Sequence, residues 1–145
     1  MTIREINKNE IDKAFQLAWT VFQEFEAPDY CEQGIKSFSD TLKDPNYINM
    51  LKIYGAFSDE NLLGILATRN NGNHIALFFV DGKMHKQGIG RKLFEFACKD
   101  NKTGKMTVNS SPYATEIYHH LGFKDTDIEQ TVDGIRFTPM ECIVK

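Results

Sequence analysis

Two glycines in a short basic segment have the spacing that most directly indicates a chemistry. Gly88 and Gly90 lie on either side of one residue, with Lys86, Arg91 and Lys92 close by. Glycine lets the backbone approach a ligand without a β-carbon in the way, and the first N–H groups of a helix have no intrahelical partner. A loop of this composition that opens a helix favours anions. The segment therefore predicts a phosphate-binding loop.

The glycine spacing differs from that of the two common nucleotide-binding loops. The dinucleotide-binding fingerprint has a third glycine three residues on, where this chain has Leu93. The P-loop ends in glycine, lysine and serine or threonine, whereas Gly90 is followed by Arg91 and Lys92. A pair of glycines alone is also typical of an ordinary strand-to-helix turn. The elements around the loop must decide between these interpretations.

A strand is predicted before the loop and a helix after it. The run Ile75 to Val80 has the length and composition of a strand without polar alternation, which predicts a central strand buried on both faces. After the glycines, apolar residues recur at helical spacing, and the helix should stop between Asp100 and Gly104. The order strand, loop, helix is the one that an anion site at a helix start requires.

A second strand and helix follow. Lys105 to Val108 reads as a short strand, parallel to the first because a helix connects them. Ser111 is placed to cap the next helix, and Gly122 is placed to end it. The inward stripe of that helix should consist of Ala114, Ile117, Tyr118 and Leu121.

The rest of the chain supplies covering helices and antiparallel strands. We predict a helix that starts at Asn7 and ends before Ala27, and a second from Glu32 to Leu42, on the basis of apolar residues at helical spacing. Turn-forming residues separate the remaining runs, so these should pair as hairpins. The predicted strands are Thr2 to Ile6, Met50 to Phe57, Leu62 to Thr68, Asp127 to Thr131 and Arg136 to Val144. This pattern predicts a mixed α/β fold with helices over a largely antiparallel sheet.

Composition narrows the class of protein. At 145 residues, 41% hydrophobic and 26% charged, the chain fits one globular domain, residues 1–145. The net charge of −3 argues against a nucleic-acid binder, although Lys83, Lys86, Arg91 and Lys92 form a local basic patch. Three scattered cysteines indicate reduced thiols and a cytoplasmic setting. The sequence shows no membrane-spanning run, no signal peptide and no spacing typical of metal ligands.

Two segments in order resemble the GNAT N-acetyltransferases. HKQGIGRKL, at residues 85–93, is similar to the acyl-CoA loop of that family, and VNSSPYATEIYHHLGF, at residues 108–123, is similar to its second signature. His85 departs from the pattern, which begins with glutamine or arginine. The resemblance implies a single α/β (α+β) domain with a largely antiparallel mixed sheet, a splayed central parallel pair and helices on both faces.

The resemblance also implies a function and a site. The function is transfer of an acetyl group from acetyl-CoA, with no metal, to a primary amine of a small molecule or protein. The backbone of residues 86–91 would hold the pyrophosphate, and the end of the strand Ile75 to Val80 would pair with the pantetheine arm. Tyr118 would lie near the sulfur as the acid. The implied cofactor-binding residues are Phe78, Phe79, Val80, His85, Lys86, Gln87, Gly88, Ile89, Gly90, Arg91, Asn109 and Tyr118.

The identity of the base and of the acceptor stays open at this point. Glu24, Glu26 and Asp81 are candidates for a base that deprotonates the amine. Acceptor specificity is expected in residues 27–49 and in the last hairpin. A non-catalytic acyl-CoA binder or sensor of the same fold is the alternative function. We expect a monomer or homodimer without nucleic-acid or membrane partners.

Overall fold

A computed structural model describes residues 1–144 as one mixed α/β unit. Its helices are α1 (Ile11–Val21), α2 (Glu32–Lys43), α3 (Pro45–Asn49), α4 (Ile89–Cys98) and α5 (Thr115–Leu121). Its strands are β1 (Thr2–Glu5), β2 (Lys52–Ser58), β3 (Asn61–Arg69), β4 (His74–Val80), β5 (Lys105–Ser110), β6 (Lys124–Asp125), β7 (Gln130–Val132) and β8 (Ile135–Ile143).

The sheet runs in the order β1-β2-β3-β4-β5-β8-β6, with β7 paired to β8 beside it. Neighbouring strands are antiparallel except β4 and β5, which are parallel. That parallel pairing covers only His74 with Thr107 and Ile75 with Val108, after which the two strands separate. The predicted fold class, including a splayed central parallel pair, is confirmed.

Helices cover both faces of the sheet, and each face has its own core. One core packs α4 and α5 on the sheet, with Leu93, Ala97 and Tyr118 among its buried members. The other packs α1 and α2, with Ala14, Ala18 and Leu42 buried. No helix within residues 1–144 is long and apolar enough to cross a membrane.

A β-bulge in β4 explains how that strand serves both cores. Leu77 and Ile75 pair with consecutive residues of β3, which leaves Ala76 as the extra residue. Side chains of a regular strand alternate between faces, so Ile75 and Leu77 would share one face without the bulge. Instead Ile75 packs in the α4/α5 core and Leu77 in the α1/α2 core.

Several local predictions were wrong. Asp44-Pro45 starts α3 rather than only ending α2, because Asp44 accepts the Asn46 N–H and proline suits a first turn. The last section forms three strands instead of two. Ser111 does not cap α5, which begins after a turn closed by the Ser111 carbonyl and the Ala114 N–H.

Candidate active site

The glycine loop ends in a helix N-terminus that no side chain caps. Gly88 is the N-cap of α4 with a left-handed φ of 81°, and a β-carbon there would meet nothing within 4 Å. Lys86 also has a left-handed φ, of 66°. The first N–H groups of α4 therefore face open space with the positive end of the helix dipole behind them. Arg91 adds charge nearby, held by its bond to the His120 carbonyl at 2.9 Å.

His85 fastens this loop to the end of β4. Its Nε2 donates to the Val80 carbonyl at 2.7 Å, and its ring packs on Phe25 with centroids 4.7 Å apart. The imidazole therefore has a structural partner at the position where the family pattern has glutamine or arginine. Whether His85 also contacts a cofactor stays a prediction.

Backbone groups at the end of β4 point into the gap between β4 and β5. The Asp81 N–H donates to the Leu63 carbonyl on the β3 side. Because backbone groups alternate along a strand, the N–H groups of Val80 and Phe78 point the other way. β5 has already separated from β4 at this level, so a ligand can pair with this edge.

A cavity of about 480 Å³ joins the helix N-terminus to this gap. It brings together most of the predicted cofactor residues: Phe78, Phe79, Val80, His85, Lys86, Gly88, Ile89, Gly90, Arg91 and Tyr118. Gln87 is in the loop but does not line the cavity, and Asn109 lines the neighbouring one. An uncapped helix end, free strand edge and long apolar wall fit a ligand with a phosphate and an extended arm.

A π-helical turn places Glu26 in the site. The α1 helix continues as a π-helix over Phe22–Glu26 before a short 3₁₀ turn, where the sequence predicted one regular helix. The wider turn changes the directions of the side chains that follow, a feature frequent at functional sites. Burial raises the pKa of the Glu26 carboxyl to about 7; the nearby Ser111 hydroxyl opposes this shift and the charge of Asp29 adds to it. A carboxyl that titrates near neutrality suits a base.

The Ser111 hydroxyl near Glu26 is buried without a partner that satisfies hydrogen-bond geometry. It is therefore a polar group left available beside the carboxyl. Burial of this kind is costly unless a ligand or water supplies the missing bond.

The other two base candidates lie elsewhere. The Asp81 carboxyl accepts the Lys83 N–H at 3.0 Å and caps the turn at the start of the glycine loop. Glu24 is exposed and lies against Gly82. Neither lines the cavities that Glu26 lines. The structure thus favours Glu26 among the three.

Tyr118 is buried on α5 where the predicted motif places it. Only 6% of its surface is exposed, and its ring meets the edges of Phe78 and Phe123 with centroids 5.9 and 5.4 Å apart. Burial raises the pKa of the Tyr118 phenol well above its usual value, and the charge of Glu26 adds to this. The hydroxyl therefore keeps its proton near neutrality. Tyr118 is therefore both a buried core residue and a residue that lines the cavity.

A second cavity of about 390 Å³ adjoins the first on the side of α2. Both cavities are lined by Glu26, Phe78, Phe79, Ala114 and Tyr118, which form the boundary between them. The second is also lined by Tyr30, Ser37, Phe38, Thr41 and Tyr47 from the segment 27–49 and by Val132, Asp133, Ile135 and Phe137 from the last hairpin. These are the two regions in which acceptor specificity is expected.

Sequence reasoning missed some residues of the site. Met84 and Tyr113 line the larger cavity, and the Tyr113 ring packs at a tilt on Phe25 with centroids 5.2 Å apart. Ile117, predicted as an inward core residue, lines the same cavity and is 44% exposed. Helical spacing could not reveal this, because only the fold shows that Ile117 is exposed beside a cavity.

A family model for the acetyltransferase (GNAT) domain matches residues 26–144. Among proteins with curated functions, no relative is found.

Solved structures share the fold. A GCN5-related N-acetyltransferase from Rhodopseudomonas palustris superposes with a TM-score of 0.81 at 15% identity, over 98% of this chain and 94% of the other. PaiA N-acetyltransferase from Thermoplasma acidophilum, solved with coenzyme A, gives 0.70 at 20% identity over 98% of both chains. The ribosomal-protein-S18-alanine N-acetyltransferase from Escherichia coli gives 0.67 at 16% identity, over 99% of this chain and 94% of the other.

Proposed function

Because this chain belongs to the GNAT acetyltransferase family, we propose that it moves an acetyl group from acetyl-CoA directly to a primary amine. The amine belongs to a small molecule or to a protein. The three cysteines are free thiols, which fits the reducing cytoplasm that we propose as its compartment.

The proposal rests chiefly on the boundary between the two cavities. Glu26 and Tyr118 line both of them. An acetyl group held on one side and an amine held on the other would meet at these two side chains. A raised carboxyl pKa and a buried phenol at one boundary are an acid and base pair suited to acyl transfer.

The larger cavity is the proposed acetyl-CoA side. The backbone of residues 86–91 and the α4 N-terminus would hold the pyrophosphate, with Gln87 contributing its backbone. The β4 edge at Phe78, Phe79 and Val80 would pair with the pantetheine arm. Asn109, which lines the neighbouring cavity, would reach that arm from the opposite side of the gap.

The residues at the boundary have separate tasks. Acetyl-CoA supplies the acetyl group as a thioester. The Glu26 carboxylate takes the proton that the acceptor must lose to become a nucleophilic amine. The Val80 N–H, which points into the gap, donates to the oxygen that gains charge as the amine attacks. The Tyr118 hydroxyl donates its proton to the departing sulfur.

Two measurements on the whole chain test the proposal. Acetyl-CoA at 100 times its dissociation constant should stabilise the fold by about 2.7 kcal/mol. With a panel of amines, wild type should release free thiol in proportion to acetylated amine. Stabilisation without thiol release would indicate the alternative function, a non-catalytic acyl-CoA binder. No melting shift at millimolar acetyl-CoA would contradict both.

A further inference from the structure

The acceptor side of the boundary has a wall of aromatic rings that pack on one another. Phe22 and Phe38 stack with centroids 4.2 Å apart, and Phe38 packs on Phe79 at 5.9 Å. Tyr30 lies against Phe22 at 5.5 Å. Because each ring is held by another, this wall is preformed for a flat or apolar ligand.

Charge in the same cavity has one sign. Among the described residues that line it, the ionisable carboxyls are Glu26 at the boundary and the exposed Asp133, and no lysine, arginine or histidine is present. The guanidinium of Arg136 is occupied outside it, with Nε on Glu129 at 3.2 Å and Nη1 on the Asp29 carbonyl at 3.1 Å. An incoming ammonium is attracted here, and a carboxylate would be buried without a partner.

A contact between α2 and the β7–β8 turn joins two walls of this cavity. Gly34 and Gly134 pack backbone against backbone, where a β-carbon on either would collide with the other. The Ser37 hydroxyl donates to the Asp133 carbonyl at 2.8 Å, and the Tyr30 hydroxyl donates to the Arg136 carbonyl at 3.2 Å. This clamp bounds one side of a pocket of about 390 Å³, a volume that suits a compact ligand, whereas an extended peptide needs a groove open along its length.

We infer that the acceptor is a compact primary amine with an aromatic or similar apolar body and no carboxylate, an inference that rests on the proposed acetyl transfer. The ammonium enters past Asp133 and loses its proton to Glu26, while the body packs on the Phe22, Phe38 and Phe79 rings. The nitrogen then forms a bond to the acetyl carbon, and the carbon–sulfur bond breaks. The sulfur leaves as a thiol with the Tyr118 proton, and the second proton that the nitrogen loses restores the Tyr118 hydroxyl.

A pair of amines that differ by one group tests this inference. Phenethylamine and phenylalanine share a benzyl body and a primary amine, but phenylalanine adds a carboxylate. We expect kcat/KM for thiol release to be at least about 100-fold higher with phenethylamine, because an unpaired buried charge is costly. Spermidine and a lysine-containing peptide should also be poorer acceptors than phenethylamine.

A matched pair of variants locates the effect in the pocket. Phe38→Leu should raise KM for phenethylamine about tenfold, since hydrophobic pockets discriminate by one to two orders of magnitude, and should leave acetyl-CoA binding unchanged. Phe96→Leu makes the same change on the other side of the sheet, where Phe96 packs on Tyr54. That variant should leave KM for phenethylamine unchanged.

The possible failures are distinguishable. Equal or better turnover of phenylalanine or the peptide would overturn the acceptor inference and leave acetyl transfer standing. Thiol release with none of the amines would overturn the proposed function. In that case, calorimetry on the protein saturated with coenzyme A still compares the affinities of phenethylamine and phenylalanine. An affinity about 100-fold higher for phenethylamine supports the selectivity of the pocket. Equal affinities overturn it.

Discussion

The two cavities that meet at Glu26 and Tyr118 are built in different ways. The proposed cofactor side combines backbone groups from the end of β4 and the glycine loop with an apolar wall from the α5 region. The proposed acceptor side is made of side chains from the π-helical turn Phe22–Glu26, α2, α3 and the β7–β8 hairpin, together with residues of β4, β5 and α5. The first side is basic at its loop, and the second is acidic and aromatic.

This difference bears on how each side can change. Backbone N–H groups are the same for every residue type, so the cofactor side constrains the chain chiefly where a side chain must be absent or a left-handed φ is required. The acceptor side depends on the identity of each lining residue. One fold can therefore keep a common cosubstrate while its acceptor varies with a few substitutions.

The largest expected effect is a loss of acetyl-CoA affinity caused by a substitution on the cofactor side alone. Gly88→Asp should lower acetyl-CoA affinity by about 100-fold or more, because a carboxylate within a few ångströms of a phosphate costs about 3 kcal/mol at an effective dielectric constant near 20. The fold should survive, since the site around Gly88 is open and aspartate is accepted both at an N-cap and at a left-handed φ. Calorimetric titration measures the affinity.

Gly88→Asn is the matched control, because asparagine has the same shape without the charge. It should lose about tenfold or less in affinity, and both variants should melt within a few degrees of wild type, as expected for about 1 kcal/mol. If Gly88→Asp bound acetyl-CoA as tightly as Gly88→Asn, the phosphates would lie elsewhere.

The second expected effect concerns the boundary itself. Wild-type kcat/KM should rise with pH through about 7, because the Glu26 carboxyl, whose pKa is raised to about 7, must be deprotonated to act as base. Glu26→Gln should lower kcat by about 100-fold or more and remove this rise. Initial rates between pH 5.5 and 8.5 measure both, with Glu24→Gln on the exposed neighbour as control. A rise that persists in Glu26→Gln would assign the base to another group.

The same contrast explains what the sequence could predict. The glycine loop was predictable because the N-cap of α4 has a left-handed φ, which favours glycine at position 88. Such a local requirement leaves a local pattern in the sequence. The hairpins that join β2, β3 and β4 and the parallel β4–β5 pairing followed from turn residues and element order, and the splay of that pair was implied by the family resemblance of the two motifs. Glu26 remained one of three candidates, because the π-helical turn that directs it inward depends on tertiary packing and has no periodic signature in Phe22–Glu26.

The acceptor cavity was predictable only as two regions of the chain. Its clamp joins Gly34 to Gly134, which are far apart in sequence, and neither glycine shows a recognisable motif. Asn109 lines the smaller cavity, since β5 extends to Ser110 and carries it past the point where the strands separate. Its contact with the pantetheine arm stays a prediction.

A smaller effect tests the acid. Tyr118→Phe should lower kcat by roughly tenfold to a hundredfold with acetyl-CoA affinity nearly unchanged, because a thiolate leaves fairly readily without a proton. The ring keeps its contacts with Phe78 and Phe123, so the melting temperature should also hold. Single-turnover rates separate chemistry from product release. Unchanged kcat where chemistry limits turnover would make Tyr118 a core residue only.

The smallest effect is a change in how folding stability depends on pH, caused by Glu26 in the absence of any ligand. A carboxyl whose pKa is raised by folding, here from 4.5 to about 7, keeps its proton in the folded state while the unfolded chain has released it. Glu26 should therefore destabilise the fold progressively as pH rises from about 4.5 to 7. The full shift corresponds to about 3 kcal/mol, and partial exposure of Glu26 should reduce this to about 1–2 kcal/mol.

Glu26→Gln isolates this contribution, because glutamine does not titrate and other groups titrate alike in both proteins. The free energy of unfolding in urea, measured at pH 5 and pH 8, gives the double difference between the variants. We expect Glu26→Gln to gain about 1–2 kcal/mol on wild type between these pH values. Asp29→Asn should reduce that gain, since the charge of Asp29 adds to the shift. An equal difference at both pH values would mean that the Glu26 carboxyl is solvated as in the unfolded chain. The acceptor side would then hold an ordinary surface acid, and the rise of kcat/KM through pH 7 would need another origin.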